Sequence, residues 1–226
     1  MLALQGGRPR AVLAGVLWPE SAEGRGSDSL RESLWTVNHQ APGLLQDDAR
    51  IVALADGVDV DADRIRKHVS GARTARSGPQ RLRLLGLLRD AGLLSGWYED
   101  WVLTEQDCWL RLRLGALEGL AMEFLEAGET ALATDAAQCA VDIDPWRESA
   151  LGLLLRSHLA SGDHVRVIRL YEAFAVRLRS EYGVAPSPRL SALVAPVAGR
   201  RPGWAPVLTG RPADHRPADA AIAARR

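Results

Sequence analysis

The sequence predicts a mainly α-helical protein in which paired helices are stacked through the middle of the chain. Between residues 97 and 184 apolar side chains recur at intervals of three and four, which places them on one face of successive helices. Two similar turn signals, Leu125 to Gly128 and Leu159 to Gly162, are separated by about 34 positions. Helical periodicity and a repeated turn therefore favour a helical repeat.

Leucines on the helices keep the same offset as the two turns. Leu117 precedes Leu151 by this interval, and Leu120 precedes Leu154 by the same interval. Helix–turn–helix units with this period are typical of tetratricopeptide repeats. One pair of helices is too thin to bury its own apolar face, so neighbouring pairs stack and share a core. We therefore expect a tetratricopeptide-like domain over residues 62–198.

Helix boundaries in this domain follow from glycine, proline and capping residues. Gly and Asn favour the left-handed backbone that ends a helix, and Pro cannot continue one. The predicted helices are 63–76, 82–88, a long helix closed by Gly128, a helix through Cys139 stopped at Asp144-Pro145, 146–159, a helix that ends at Gly183, and a short helix after Pro186-Ser187-Pro188.

The segment 1–61 follows a different order. A short helix, a Gly/Glu/Ser loop, a second helix and a small sheet come in turn, which is how a winged helix ends. Ser29 and Glu32 have the spacing of a capping box. We therefore predict a partial α+β winged helix over residues 1–61. Its predicted elements are the helix Arg10–Trp18, a helix from Ser27, Asp28 or Ser29 to Gln40, a hairpin of Leu44-Leu45 with Ile51–Leu54, and an extended piece Val58–Val60.

Charge is unevenly distributed although the net charge is zero. Residues 1–60 carry five Arg against eight acidic residues, whereas residues 199–226 carry six Arg against two Asp. Overall neutrality removes the general electrostatic argument for nucleic-acid binding. The Pro- and Arg-rich stretch 199–226 is predicted to be a disordered basic tail.

The sequence offers little support for an enzyme or a membrane protein. It has no phosphate-binding loop, dinucleotide fingerprint or serine nucleophile elbow, and no apolar run approaches the ~20 residues that span a bilayer. The N-terminus lacks a secretory pattern, and Cys108 and Cys139 are expected to be reduced thiols. We therefore expect a cytoplasmic protein that is not an enzyme and binds no membrane.

Metal sites are also not expected. Asp59, Asp61 and Asp63 have the spacing that begins a calcium loop, but Arg64 and Ser70 occupy the positions that need Gly and Glu. Helix capping explains these acids better. The five histidines are scattered, so we expect no metal and no cofactor.

Three separated segments resemble the bacterial transcriptional activator domain, the helical repeat module of the SARP-type antibiotic regulatory proteins. They are Gly96–Val102 (GWYEDWV), Asp144–Ala150 (DPWRESA) and Leu178–Pro188, which contains Glu181-Tyr182-Gly183-Val184 and Pro186-Ser187-Pro188. In that family the module follows a winged-helix DNA-binding domain of the response-regulator type. Leu17-Trp18-Pro19 and Leu30-Arg31-x-x-Leu34-Trp35 resemble its turn and recognition helix, so the resemblance covers roughly residues 2–195.

The resemblance implies a transcription activator that contacts DNA through the helix 28–40 and the following wing. Asn and Gln can read adenine edges, and Arg can hold guanine or phosphate. The helical repeats would then serve dimerisation, effector sensing or RNA polymerase contact. The candidate DNA-binding residues are Arg31, Trp35, Thr36, Asn38, His39 and Gln40.

Two departures from the family keep a second function open. Met1 falls where the first helix of the winged helix should end, and residues 36–40 (TVNHQ) replace several arginines of the family's recognition helix. Each lost phosphate contact weakens DNA binding. The alternative is therefore a helical repeat scaffold that has lost DNA binding through N-terminal truncation.

The aromatic segment before the long helix also allows two interpretations. Trp97, Tyr98 and Trp101 could line a pocket for a small ligand or peptide. They could instead attach the 82–94 segment to the long helix, since large aromatic side chains bury much surface when they pack. We favour the second interpretation from the sequence.

Overall fold

The structure is a computed structural model that describes residues 1–22, 24–48, 50–71 and 77–199. It forms two compact units, Met1–Ala127 and a second that begins at Gly128. The predicted tail from residue 200 onward and the predicted helical residues 72–76 lie outside the described residues. The elements are α1 (Leu2–Gln5), β1 (Arg8–Pro9), α2 (Arg10–Leu17), α3 (Arg25–Gln40), β2 (Leu45–Asp47), β3 (Ile51–Leu54), α4 (Asp61–Ser70), α5 (Gly78–Arg89), α6 (Asp100–Glu126), α7 (Thr130–Ile143), α8 (Glu148–Ala160), α9 (His164–Tyr182) and α10 (Pro188–Ala198).

The first unit begins with a small α+β layer built on one hydrophobic cluster. Helices α2 and α3 pack together beside an antiparallel sheet in the order β1-β3-β2. The predicted hairpin is confirmed, with Leu45 opposite Leu54. The cluster is small, so each of its members carries a large share of the stability. Its buried side chains are Leu13, Ala14, Leu30, Leu34 and Val52.

The sheet has a third strand that the sequence did not predict. Arg8 pairs with Val52 and Pro9 with Ile51, so β1 occupies the free edge of β3. Residues 58–60, predicted as an extended piece, pair with no strand in the described part of the chain: the Val58 N–H donates to Ala55 O in a turn, and Val60 has an extended backbone. A strand as short as β1 carries no alternation of side chains, so no periodic signal could reveal it.

Helix α3 begins earlier than its sequence signals predict. Its first residue is Arg25, and Ser29 and Glu32 lie inside the helix, where they form no capping box. Gly26 is buried against Ala14 of α2. The additional turn therefore gains tertiary packing, which overrides a local capping signal. The C-terminal end at Gln40 is confirmed.

Helix α4 covers part of the predicted helix 63–76 and begins slightly earlier, at Asp61. Arg66 of α4 donates to Leu4 O and lies 3.9 Å from the Glu105 carboxylate of α6. Gln5 donates to the same Glu105 carboxylate at 2.8 Å. Contacts between α1, α4 and α6 thus cross the predicted boundary between residues 61 and 62, within one compact unit.

The second unit shows the predicted repeat in its buried faces. Helix α7 packs on α8, α8 on α9, and α10 on both α8 and α9. Three small residues of α7 occupy the same repeat positions as three large residues of α9, and all six are buried. Small and large side chains at equivalent positions fill the shared core. The pairs are Ala133 with Val167, Ala137 with Tyr171, and Ala140 with Phe174.

Two segments of the family resemblance meet in this unit. The Glu148 carboxylate accepts a hydrogen bond from the Ser187 N–H at 2.9 Å. The Arg177 guanidinium lies 5.0 Å from the centre of the Trp146 ring, and Tyr182 contacts that ring edge-on at 4.9 Å. These motif residues, together with Arg177, therefore join the start of α8 to the end of α9 and the start of α10.

Both predicted repeat turns have left-handed backbone at their glycines. Gly128 has φ 75° and Gly162 has φ 80°. Residues with a Cβ atom are strained in this backbone conformation, whereas Gly adopts it freely. We expect Gly162→Ala to lower the free energy of unfolding by about 1 kcal/mol, measured by urea denaturation.

A matched alanine substitution within α8 should act in the opposite direction. A Cβ at Gly152 would meet only Leu190 Cδ1 at 3.6 Å, an ordinary contact. Because Gly weakens a helix interior, Gly152→Ala is expected to be neutral or to stabilise by up to about 1 kcal/mol. Equal destabilisation by both substitutions would contradict the backbone explanation.

Candidate nucleic-acid interface

Helix α3 has one face in the core and one in solvent. Leu30 and Leu34 are buried in the hydrophobic cluster. Successive helical residues are rotated by about 100°, so positions 31, 35, 38 and 39 share an arc of about 100°. All four are exposed. The structure therefore brings Arg31, Trp35, Asn38 and His39 together, and we call these four residues the α3 face.

Trp35 and His39 form a close, tilted aromatic pair on the α3 face. Their ring centroids are 3.9 Å apart, and Trp35 remains 61% exposed. His39 Nδ1 lies 3.2 Å from Trp35 O. When Nδ1 carries the proton, it donates to this carbonyl and leaves Nε2 as an acceptor toward solvent. A large aromatic surface and a polar ring edge are thus presented side by side.

Two predicted site residues lie away from the α3 face. The Thr36 hydroxyl donates to Glu32 O at 2.9 Å, so its polar atom is used by the helix itself. Gln40 is the last residue of α3 and, nine positions from Arg31, is rotated by about 180° from it. The structure therefore does not bring Thr36 and Gln40 together with the other four.

The charge of the α3 face is largely neutralised within the helix. Arg31 pairs with Asp28 at 3.1 Å, and both side chains are more than 70% exposed. Glu32 is exposed and adjacent to Arg31 in the helix. Exposed pairs contribute little to stability, but Asp28 places a negative charge beside the guanidinium. Helix α3 contains two Arg and two acidic residues, so its electrostatic attraction for phosphate is weak.

The turn between β2 and β3 is acidic and tightly bonded. Asp48 Oδ1 accepts from the N–H groups of Arg50 and Ile51, at 2.8 and 2.6 Å. These two backbone hydrogen bonds lower the pKa of Asp48, with a smaller contribution from Arg10. Arg10 also forms an ion pair with Asp47. Arg50 is exposed and adds a positive charge to this turn.

Two exposed cations, one on α3 and one in the β2–β3 turn, were not among the predicted site residues. Arg25 in the first turn of α3 and Arg50 in the β2–β3 turn are both exposed. Only their charge could have identified them, because neither belongs to a recognisable motif. Together with Arg31 they are the exposed arginines that α3 and the described part of the β2–β3 turn offer to a phosphate backbone.

The acidic residues Asp59, Asp61 and Asp63 do not cap a helix as predicted, because α4 begins at Asp61 with Val60 as its N-cap and no side-chain cap. Asp59 pairs with Arg64 at 3.4 Å, and Asp63 pairs with Arg66 at 3.2 Å. Asp61 accepts from the Ala62 N–H at 2.7 Å. Within the described ranges no group of His, Cys, Asp and Glu has the arrangement to hold a metal ion. None of the helices in those ranges is long and apolar enough to cross a membrane.

The remaining predictions concern the two cysteines and the aromatic segment before α6. Cys108 and Cys139 are free thiols, and Arg111 donates to the Cys108 sulfur at 3.2 Å. Tyr98 is 79% exposed, which disfavours its predicted role in attaching the 82–94 segment to α6, whereas Trp97 is 51% exposed and Trp101 is half-buried. Trp109 makes that attachment, since its indole N–H donates to Ala91 O at 2.6 Å.

Comparisons with known proteins agree with the helical repeat. The family model described as "Bacterial transcriptional activator domain" matches residues 60–197. No curated protein sequence matches the chain. A solved structure, "Mycobacterium tuberculosis EmbR in complex with low affinity phosphopeptide", is similar with a TM-score of 0.66 at 17% identity. The match covers 89% of this chain and 58% of the EmbR chain, so it supports the fold alone.

Proposed function

We propose that this chain, which belongs to the SARP-type regulators that carry a bacterial transcriptional activator domain, activates transcription by contacting DNA through α3 and the β2–β3 turn. We place it in the cytoplasm, where bacterial DNA is read. The α+β segment 1–61 would contact DNA, and the helical domain 62–198 would bring further proteins to the promoter.

The observation that supports this proposal most is the composition of the α3 face. Its exposed side chains offer hydrogen-bond and apolar groups suited to base edges. Asn38 suits an adenine edge, Arg31 suits guanine or phosphate, and Trp35 provides an apolar surface for a thymine methyl group. Burial of Leu30 and Leu34 in the hydrophobic cluster fixes which way these groups point.

The low charge of this surface suggests how the helical domain contributes. With about three available arginines, one copy of α3 and its turn would bind DNA weakly at physiological salt. A second copy of the chain, or RNA polymerase bound at the same promoter, would raise the local concentration of the α3 face at its site. We therefore propose homodimerisation or polymerase contact by α7–α10 as the second part of the function.

Fluorescence anisotropy with labelled duplexes tests DNA contact. We expect binding at low salt with a slope of log K against log salt of about −2 to −3, because about three phosphates are neutralised. Asn38→Ala should reduce the preference among duplex sequences, and Arg31→Ala should make the slope shallower by about one. Absence of binding to any duplex at low salt would contradict DNA contact by this chain.

Removing acidic charge from α3 should strengthen DNA binding. In the double variant Asp28→Asn, Glu32→Gln the Arg31 guanidinium loses its carboxylate partner and two repulsive charges disappear. We expect about tenfold tighter binding at low salt, an effect that fades as salt screens the charges. The measurement is the same anisotropy titration. Asp107→Asn with Glu126→Gln, which removes two exposed charges in α6, is the matched control and should leave affinity unchanged.

A scaffold function without DNA binding is the second candidate. The paired Asp28 and Arg31 and the acidic β2–β3 turn favour it, because both disfavour approach to phosphate. The two candidates differ in how much their function depends on the α3 face. Substitutions there should abolish promoter activity if the chain is an activator. They should leave the binding of protein partners, and the function that depends on it, unchanged if the chain is a scaffold.

A further inference from the structure

Helix α9 buries one face and exposes the opposite one. Because successive helical residues are rotated by about 100°, positions 165, 169, 172 and 176 share an arc of about 60° on the side opposite the buried residues. The buried side chains are Val167, Tyr171, Phe174 and Leu178. The opposite side carries two apolar and two charged residues, which we call the α9 seam: Val165, Arg169, Glu172 and Val176.

The two valines of the α9 seam stabilise neither the core nor the helix. Val165 is 61% exposed and Val176 is 70% exposed, so neither side chain belongs to the shared core. β-Branched residues lower helix propensity, so the helix itself does not favour them either. They lie about 16 Å apart along one face of the helix. Burial of both side chains against one partner would therefore be favourable.

The order of the four seam residues is self-complementary. Their spacings are four, three and four positions, which read the same from either end. A second copy of α9 can lie antiparallel on the first, with a two-fold axis between positions 170 and 171. Val165 then contacts Val176 of the second copy, and Arg169 contacts Glu172 of the second copy. Because a two-fold axis repeats each contact, the seam forms two valine pairs and two ion pairs with itself.

The charges of the seam favour an antiparallel pair over a parallel one. A parallel pair in the same register would place Arg169 against Arg169 and Glu172 against Glu172, and like charges repel. Arg169 is exposed, and Glu172 is half-buried. Glu172 also interacts within its own chain. A carboxylate can accept several hydrogen bonds, so Glu172 can bond Arg169 of a second copy as well.

The other charged side chains of α9 lie outside the seam. The Arg177 guanidinium is directed toward the start of α8, where it donates to Pro145 O at 3.1 Å. Arg166 and Arg179 are exposed beside the seam, and their repulsion between two copies limits the strength of the pairing. Glu181, near the end of α9, is exposed and offsets part of this charge.

We propose that two copies of the chain associate through the α9 seam, with their α9 helices antiparallel. The inference rests on the homodimerisation proposed above and assigns it to one surface. Two helices in contact along the seam bury about 800 Å² in total, which is the low end for specific association. The dimer is therefore weak, with a dissociation constant of about 10–100 μM. It brings two α3 faces to one promoter where the chain is locally concentrated.

Sedimentation velocity of the full chain without DNA tests the association. We expect a monomer–dimer equilibrium in which the dimer fraction rises with concentration. Arg169→Glu places two carboxylates at each contact, and Glu172→Arg places two guanidinium groups there, so each variant alone should dimerise at least about tenfold more weakly. In an equimolar mixture of the two variants every contact again joins opposite charges. The mixture should recover the affinity of the unaltered chain to within about threefold.

Arg156→Glu is the matched control, because Arg156 is an exposed arginine of α8 outside the seam. It changes the net charge as Arg169→Glu does and should leave the dissociation constant unchanged. Circular dichroism before each run establishes that the variants are folded. The proposal is overturned by a chain that stays monomeric up to about 500 μM, by equal weakening in Arg156→Glu and Arg169→Glu, or by a mixture of folded variants that stays monomeric.

Disulfide formation measures the orientation of the two helices and requires no substitution of Glu172. In a chain whose Cys108 and Cys139 are replaced by serine, Val165→Cys and Val176→Cys are introduced separately. A disulfide needs Cα atoms within about 7 Å, whereas in the antiparallel pair the two copies of position 165 lie at least about 16 Å apart. Oxidation with diamide should therefore join the mixed variants and leave each variant alone largely monomeric. Crosslinking as efficient within one variant as in the mixture would also overturn the proposal.

The α9 dimer and DNA contact by α3 can fail separately. Arg169→Glu leaves α3 unaltered, so this variant should still bind duplexes in the anisotropy titration. Its apparent affinity should be lower only at concentrations where the unaltered chain forms dimers. A monomeric chain that binds DNA would overturn the α9 dimer alone, whereas a dimeric chain that binds no duplex would contradict DNA contact alone.

Discussion

Replacing Leu154 with Ala is expected to lower the free energy of unfolding of the second unit by about 3–5 kcal/mol. Leu154 lies in α8, is fully buried, and occupies the repeat position of Leu120. Truncation removes apolar contacts and leaves a cavity that the neighbouring helices cannot fill, because the facing residues of α7 are mainly alanines. Urea unfolding followed by circular dichroism measures the loss.

Val176→Ala is the matched control in the same unit. Val176 lies on α9 and is 70% exposed, so its truncation creates no cavity. We expect a change within about 0.5 kcal/mol. A loss of several kcal/mol for Val176→Ala, or a much smaller loss than expected for Leu154→Ala, would contradict the shared core of the repeat.

The second large effect concerns the support of the α3 face. Leu34→Ala is expected to cost about 2–4 kcal/mol, because Leu34 is one of five buried members of a small cluster. Amide exchange of α2, α3 and the sheet should accelerate, whereas exchange in α7–α10 should remain slow. Hydrogen exchange followed by mass spectrometry separates these regions along the chain.

The neighbouring residue provides a control with the opposite outcome. Trp35 is exposed, so Trp35→Ala should leave amide exchange unchanged and weaken only DNA binding. Leu34→Ala should weaken DNA binding as well, but through loss of structure. If Trp35→Ala accelerated exchange throughout α3, the assignment of the two faces would be incorrect.

The helical repeat could be predicted because its signals extend over many residues. Leu117 and Leu151, like Leu120 and Leu154, keep one offset and are all buried. The turns at Gly128 and Gly162 have the left-handed backbone that the pattern implies. Each of these observations is local, and their agreement across a whole repeat unit made the architecture predictable.

Elements that depend on tertiary contacts could not be predicted. Strand β1 is very short and exists because the edge of β3 is available to it. Helix α3 starts at Arg25 because Gly26 packs on α2, and no signal in the neighbouring sequence predicts this contact. The caps predicted at Ser27, Asp28 or Ser29 were wrong for this reason, since the N-cap is Gly24.

The site was predictable in part. The residues that form the α3 face share one helical face, and helical spacing was enough to group them. The polar contacts around them were harder to foresee. The pairing of Arg31 with Asp28 and the hydrogen bond from Thr36 to Glu32 O both depend on the earlier helix start or on side-chain conformation. These contacts reduce the charge and the number of side chains available for DNA.

Selection of bound sequences from a pool of random duplexes tests the central claim most directly. The full chain is incubated with the pool at low salt, bound duplexes are amplified and sequenced, and the Asn38→Ala variant is treated identically. If α3 reads DNA, a common sequence should be enriched, and its preference for adenine at one or more positions should be lost in Asn38→Ala. Recovery of duplexes without a common sequence, or the same enriched sequence for both proteins, would contradict DNA recognition by the α3 face.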